Sequence, residues 1–213
     1  ISRHTWDGRM SSKATIRTNG EPVTEAYGTT FVLPGTYLLS LSRATNGALE
    51  TLVERHEFKV NHLYNYEGID MEFNQSVDAL MAVSNQINAQ YTELKEDLNR
   101  LRAGLRNTPG ASLEDLNTAR SIDIEMRELG LLLKGDATRT KREFEAGASL
   151  GDVTGLLAWG TFNHRGAPTG SMRAMKEDAE AMIADATAAL EKIDEKLDQL
   201  EANAREQGVP YWD

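Results

Sequence analysis

The chain has 213 residues, 33 acidic against 23 basic side chains and no cysteine, so its formal net charge is −10. These values exclude a disulfide scaffold, a zinc–thiolate or iron–sulfur centre and a cysteine nucleophile. They also argue against nucleic-acid binding, because an acidic chain repels phosphates instead of displacing their counterions.

A hydrophobic fraction of 40% supplies a core, and the length suits one large domain or two small ones. Residues 1–62 carry seven Lys/Arg and six Asp/Glu, a net of +1, whereas 63–213 carry 16 and 27, a net of −11. The asymmetry predicts two regions with a boundary near 62 and 63. The chain opens Ile1-Ser2-Arg3-His4-Thr5-Trp6, without the charged and apolar stretches of a signal peptide. No run of about 18 apolar residues is present to cross a membrane. An opening inside an apparent strand is what a mature or fragment boundary of a longer polypeptide would give.

Residues 1–62 read as β. Thr5-Trp6-Asp7 and Ala14-Thr15-Ile16-Arg17-Thr18 have the composition of short strands between turn-rich segments. Leu33-Pro34-Gly35-Thr36 predicts a turn. After it Tyr37, Leu39 and Leu41 alternate with Leu38, Ser40 and Ser42, the period of a half-buried strand. Asn46-Gly47 favours a tight hairpin turn, and His56, Phe58 and Val60 alternate along the return strand. The expectation is a small Ig-like β-sandwich. About 60 residues is short for that fold, which implies a strand or two upstream.

Residues 63–213 change period. Phe73, Val77, Leu80, Ser84, Ile87, Tyr91, Leu94, Leu98, Leu101 and Leu105 are spaced alternately by four and three. Such a heptad seam needs partner helices. Asn107-Thr108-Pro109-Gly110 ends it. Ser112 then caps a second helix with Glu114 and Asp115 in its first turn, whose apolar face is Leu113, Leu116, Ile122, Met126, Leu129 and Leu133 up to Gly135. Residues 136–148 are polar and read as helical extension or loop. A short helix interrupted by glycine follows, with Val153, Leu156, Leu157, Trp159 and Phe162, and then an irregular loop over Asn163-His164-Arg165-Gly166-Ala167-Pro168. The last helix starts near Thr169 or Ser171 and presents Met172, Met175, Ala179, Met182, Ala186, Leu190, Ile193, Leu197, Leu200 and Ala204 on one face until Gly208 and Pro210. The fold class expected is α+β: the sandwich over 1–62, then a long antiparallel helical hairpin thickened to a three- to four-helix bundle over 63–213.

No constellation of catalytic residues emerges, so no catalytic, cofactor-binding or metal residue is assigned and no cofactor is expected. His4, His56, His62 and His164 lack ligand spacing. The acids Glu93, Glu96, Asp97, Glu114, Asp115, Glu177, Asp178, Asp194, Glu195 and Asp198 interleave with Lys95, Arg100, Lys176, Lys192 and Lys196, as on a solvated helix surface. Residues 147–170 hold six glycines but no phosphate-binding motif; Gly147, Gly151 and Gly155 suit close helix approach or plain loop flexibility. Asn74-Gln75-Ser76 fits a glycosylation sequon of chance frequency. Trp6, Trp159 and Trp212 are scattered, and Tyr211-Trp212 would dock the C-terminus or stay loose.

The elements His4-Thr5-Trp6-Asp7-Gly8-Arg9, Leu33-Pro34-Gly35-Thr36-Tyr37 and Ala167-Pro168-Thr169, with the switch from β to long heptad helices, resemble one family. It is the C-terminal region of large bacterial sortilin-like BNR-repeat β-propeller proteins, often labelled glycosyl hydrolases. Asn61-His62-Leu63 stands where that family commonly has Asp-Pro-Arg. The resemblance implies an Ig-like domain followed by helices, outside the propeller where a substrate site would lie. No catalytic residue carries over from it.

The function expected is therefore that of a non-catalytic, extracytoplasmic accessory or scaffolding region of a bacterial β-propeller protein. Its partners would be that propeller or another subunit. One alternative is a part of a glycoside hydrolase-like enzyme, with its acids converging between the β region and the bundle or its site mainly in the propeller. Another is a coiled-coil oligomerisation module paired through the Phe73–Leu105 seam.

Overall fold

The computed structural model of the chain describes residues 3, 5–6, 8–9, 31–45, 48–61, 68–142, 145–164 and 166–210. The strand expected at 14–18, the Asn46-Gly47 turn, His4, Asp7, His62, Leu63, Arg165 and Tyr211-Trp212 lie outside these residues. The described part is α+β: one two-stranded antiparallel sheet followed by helices. The described residues show no sandwich: they hold these two strands and one isolated antiparallel bridge, Arg9 to Phe31, with no second sheet.

Strand β1 spans Gly35–Thr45 and β2 spans Ala48–Val60. The alternation seen in the sequence becomes cross-strand pairing: Tyr37 opposite Phe58, Leu39 opposite His56 and Leu41 opposite Val53. Directly opposed residues share a face, so these form one apolar face. Thr36 with Lys59, Leu38 with Glu57 and Ser42 with Thr51 form the other. The register shifts twice, between Leu39 and Leu41 and between Leu41 and Ser42, and both extra residues fall on β2. Arg55 takes φ 51 there and donates its backbone N–H to Ser40 Oγ at 3.2 Å, as a bulge residue does.

Five helices follow among the described residues: α1 (Met71–Asn107), α2 (Leu113–Lys134), α3 (Ala137–Lys141), α4 (Leu150–Asn163) and α5 (Gly170–Glu206). Each begins at a side chain that accepts an otherwise orphaned backbone N–H: Asp70, Ser112, Asp136, Ser149 and Thr169. Ser149 and Asp152 complete a reciprocal capping box. The α1 seam is buried at Phe73, Val77, Ser84, Ile87, Tyr91, Leu98, Leu101 and Leu105. The α5 stripe is buried at Met172, Ala179, Ala186, Leu190, Ile193, Leu197, Leu200 and Ala204.

The two long helices do not form an antiparallel hairpin. Phe73 and Met172 share one cluster at the start of both helices, where Arg173 lies 3.7 Å from Asp70. At the far end Gly104 of α1 faces Val209, just beyond α5. Both helices, about 55 Å long at 1.5 Å per residue, therefore run the same way. The antiparallel leg between them is in two pieces: α2 packs in the cluster that holds Leu105 and Leu200, and α4 in the cluster of Phe73 and Val77. A three-helix cross-section results along the length. The short stop at 107–111 turns the chain straight back into α2, so the immediate antiparallel partner of α1 is this segmented leg.

The start of α2 is tied to the end of α5. Gln207 Oε1 accepts the Ser112 N–H at 2.8 Å, and its amide donates to Asp115 Oδ2 at 2.5 Å. Asn203 Nδ2 donates to the other Asp115 oxygen at 3.3 Å. Asp115 is thereby buried with its hydrogen bonds made, and not on the solvated surface expected of the helix acids. Gln207→Ala is expected to lower the unfolding free energy by about 1 kcal/mol. Urea unfolding followed by circular dichroism measures it.

Candidate interaction surface

Of the histidines within the described residues, His56 sits opposite Leu39 on the hairpin. His164 follows α4, with its Nε2 2.8 Å from the Ala167 carbonyl oxygen. Among the described residues no three His, Asp or Glu side chains gather to hold a metal ion. Asn74 of the sequon lies in the first turn of α1, with Ser76 Oγ donating to the Phe73 carbonyl at 2.7 Å. Of the three glycines suited to close approach, Gly151 alone meets it: a Cβ there would stand 3.3 Å from the Leu133 carbonyl, whereas Gly147 and Gly155 face open space.

The helix acids other than Asp115 are at or near the surface. Glu93, Glu96 and Asp97 of α1 and Glu191 and Asp194 of α5 line a groove of about 470 Å³ floored by Leu94 and Leu190. Arg100 on the same rim pairs with Asp97. The lysines of α5 are drawn elsewhere, Lys196 to Glu125 of α2 at 2.5 Å. Burial raises the Asp194 carboxyl above its ordinary 3.8, and Asp198, Asp97 and Glu195 add repulsion. The folded state thus holds this proton more tightly than the unfolded chain does. Stability falls as pH climbs from 3.8 through the raised value. Asp152 behaves oppositely: hydrogen bonds from the Ser149 side chain and backbone hold it below 3.8, so its contribution is full above that pH and is lost as pH falls through the lowered value. Asp194→Asn is expected to raise Tm at neutral pH, with the gain fading toward pH 3.8. Calorimetry across pH tests this, and a lower Tm at neutral pH would contradict it.

The feature that stands out is aromatic. On the hairpin's apolar face Tyr37 and Phe58 lie 6.0 Å apart, and Trp6 meets Phe58 edge-on at 5.8 Å. Trp6 Nε1 donates to the Arg9 carbonyl at 2.9 Å, and Tyr37 Oη donates to the Leu33 carbonyl at 2.6 Å. The Arg9 guanidinium lies over Phe162 of α4 at 4.4 Å and over Phe31 at 5.3 Å. Phe31 and Phe162 are 5.8 Å apart, and Phe162 continues to Trp159 at 6.1 Å. These contacts make two clusters of rings, Trp6–Tyr37–Phe58 on the hairpin and Phe31–Phe162–Trp159 reaching α4, joined through Arg9.

Apolar side chains beside both clusters are bare. On α4, Leu156 is 59% and Trp159 64% exposed; on the hairpin, beyond the part that Trp6 covers, Leu39 is 54%, Leu41 45% and Val53 41% exposed. The α4 part is also nearly uncharged, since the helix has Asp152 as its one charged residue. Scattered in sequence, these aromatics give no linear pattern. The i, i+3 spacing of Trp159 and Phe162 was the signal available; the two bulges on β2 place Phe58, and not His56, opposite Tyr37. No protein-family model matches the chain, and no curated protein and no solved structure matches it either.

Proposed function

We propose that this chain is a non-catalytic accessory region that packs against another protein surface, the β-propeller of a larger extracytoplasmic bacterial protein of the sortilin-like type. The supporting observation is the exposed apolar side chains Leu156 and Trp159 on α4 and Leu39, Leu41 and Val53 on the hairpin, on a chain whose net charge is −10. Exposed apolar surface with large aromatic side chains is what interface centres are made of. In this proposal 1–62 is an Ig-like unit in which the hairpin keeps its β1 edge open, and 63–213 is the helical unit. The acids that gather do so between α1 and α5, within the helices, which gives no support to a hydrolytic cleft between hairpin and bundle. The seam expected to drive oligomerisation is buried within the chain.

The test is a titration of this chain with the propeller portion of the same polypeptide, read by tryptophan fluorescence. Saturable binding with a blue shift is expected as Trp6 and Trp159 leave water. Absence of binding, or turnover of aryl glycosides by this chain alone, would overturn the proposal.

A further inference from the structure

The two edges of the hairpin are unlike. The β2 edge is guarded: it carries both bulges and five charged residues, Glu50, Glu54, Arg55, Glu57 and Lys59. Bulges and edge charges are the usual means by which a strand refuses further pairing. The β1 edge has none of these from Thr36 to Ser42, where the sequence is uncharged, regular and without proline. Among the described residues no strand pairs with it, because the Arg9 to Phe31 bridge ends before Gly35. A two-stranded hairpin is marginal in water and gains from a third strand.

We propose that the β1 edge pairs with the β1 edge of a second copy of this chain, antiparallel about a two-fold axis at Leu39. In that register Leu39 faces its own counterpart, Tyr37 faces Leu41, Leu38 faces Ser40 and Thr36 faces Ser42, so no charge meets a charge and apolar side chains meet on one face. The order becomes β2-β1-β1-β2, and the apolar faces of both hairpins lie on the same side. Both outer edges are then the bulged, charged β2 strands, so the assembly closes at two copies and does not grow. Electrostatics permits the approach at this site in particular: residues 31–61 carry three basic and three acidic side chains, while 63–213 carry the net −11 that keeps the bundles apart. Seven paired residues make less than a standard interface, so the dimer is a weak one that responds to concentration. The inference stands apart from the propeller proposal, since it uses the strand edge and needs no other protein.

Sedimentation velocity of the full chain over about two orders of magnitude in concentration tests it, together with Leu39→Lys and Leu39→Glu. Leu39 is exposed, so both variants are expected to keep the wild-type circular dichroism spectrum and Tm. The wild type is expected to pass from monomer to dimer. Each variant alone should lose dimerisation by more than tenfold in Kd, because like charges meet at the axis, and an equimolar mixture of the two should regain it. A wild type that stays monomeric throughout, variants that dimerise as well as wild type, or a mixture that fails to recover would each overturn the proposal.

Discussion

Ile122→Ala is expected to lower the unfolding free energy by about 2 to 5 kcal/mol, the largest effect of any single truncation considered. Ile122 is fully buried on α2 and belongs to the cluster that also holds Leu98, Leu101, Ile193 and Leu197 from the two long helices. Three elements meet there, so no single one can move to fill the void. The lost transfer free energy is then joined by the energy of a retained cavity. Leu49→Ala at the hairpin tip removes one more or less equal side chain from a position that is mostly exposed. Its effect is expected to stay within about 0.5 kcal/mol. Chemical unfolding monitored at the helical circular dichroism band measures both. Equal losses from the two substitutions would mean that the bundle does not hold the stability of the chain.

Gly130→Ala is expected to be destabilising by about 2 kcal/mol, although alanine is the better helix former by about 1 kcal/mol. A Cβ at residue 130 would stand 2.6 Å from the Tyr91 hydroxyl and 3.3 Å from the ring carbon that bears it. The tyrosine cannot swing away freely. It is buried on the α1 seam, and Lys134 and Lys95 lie 4.9 and 5.7 Å from its ring centre. Gly155→Ala is the internal control: it too lies within a helix, but a Cβ there meets nothing within 4 Å. That substitution is expected to stabilise by about 0.5 to 1 kcal/mol from propensity alone. Adding Tyr91→Phe to Gly130→Ala removes the clashing oxygen and is expected to recover part of the loss. Stabilisation by Gly130→Ala in the wild-type background would contradict the close approach of α1 and α2.

The helical part was legible because its driving force is periodic. A stripe that must be buried along a helix appears as steps of three and four, and Phe73 to Leu105 and Met172 to Ala204 were read residue by residue on that ground. The parallel course of α1 and α5 was not legible. Periodicity says which face a helix buries but not which neighbour runs up or down, and the decision rests on the chain between them. There, the described residues of 136–148 hold only the five-residue α3, which lets α2 and α4 stack into one return leg. Leu113 shows a further limit: it fits the α2 stripe by spacing but lies in the first turn and is largely exposed. Asp115 looked like one more surface acid because its partners, Asn203 and Gln207, are some ninety positions away in sequence. The aromatic clusters escaped for the same reason. Trp6, Phe31, Phe58, Phe162 and Trp159 come from four separate segments, and only the fold gathers them.

The most direct test of a surface kept bare for a partner is the double substitution Leu156→Ser with Trp159→Ser, measured by titration calorimetry against the propeller portion of the polypeptide. Both side chains are more than half exposed, so they contribute little to the chain's own core. The expected result is a fold and Tm close to wild type, with binding weakened by at least tenfold, as loss of an aromatic anchor commonly produces. Undiminished binding by a folded double variant would contradict the assignment of these side chains to the interface.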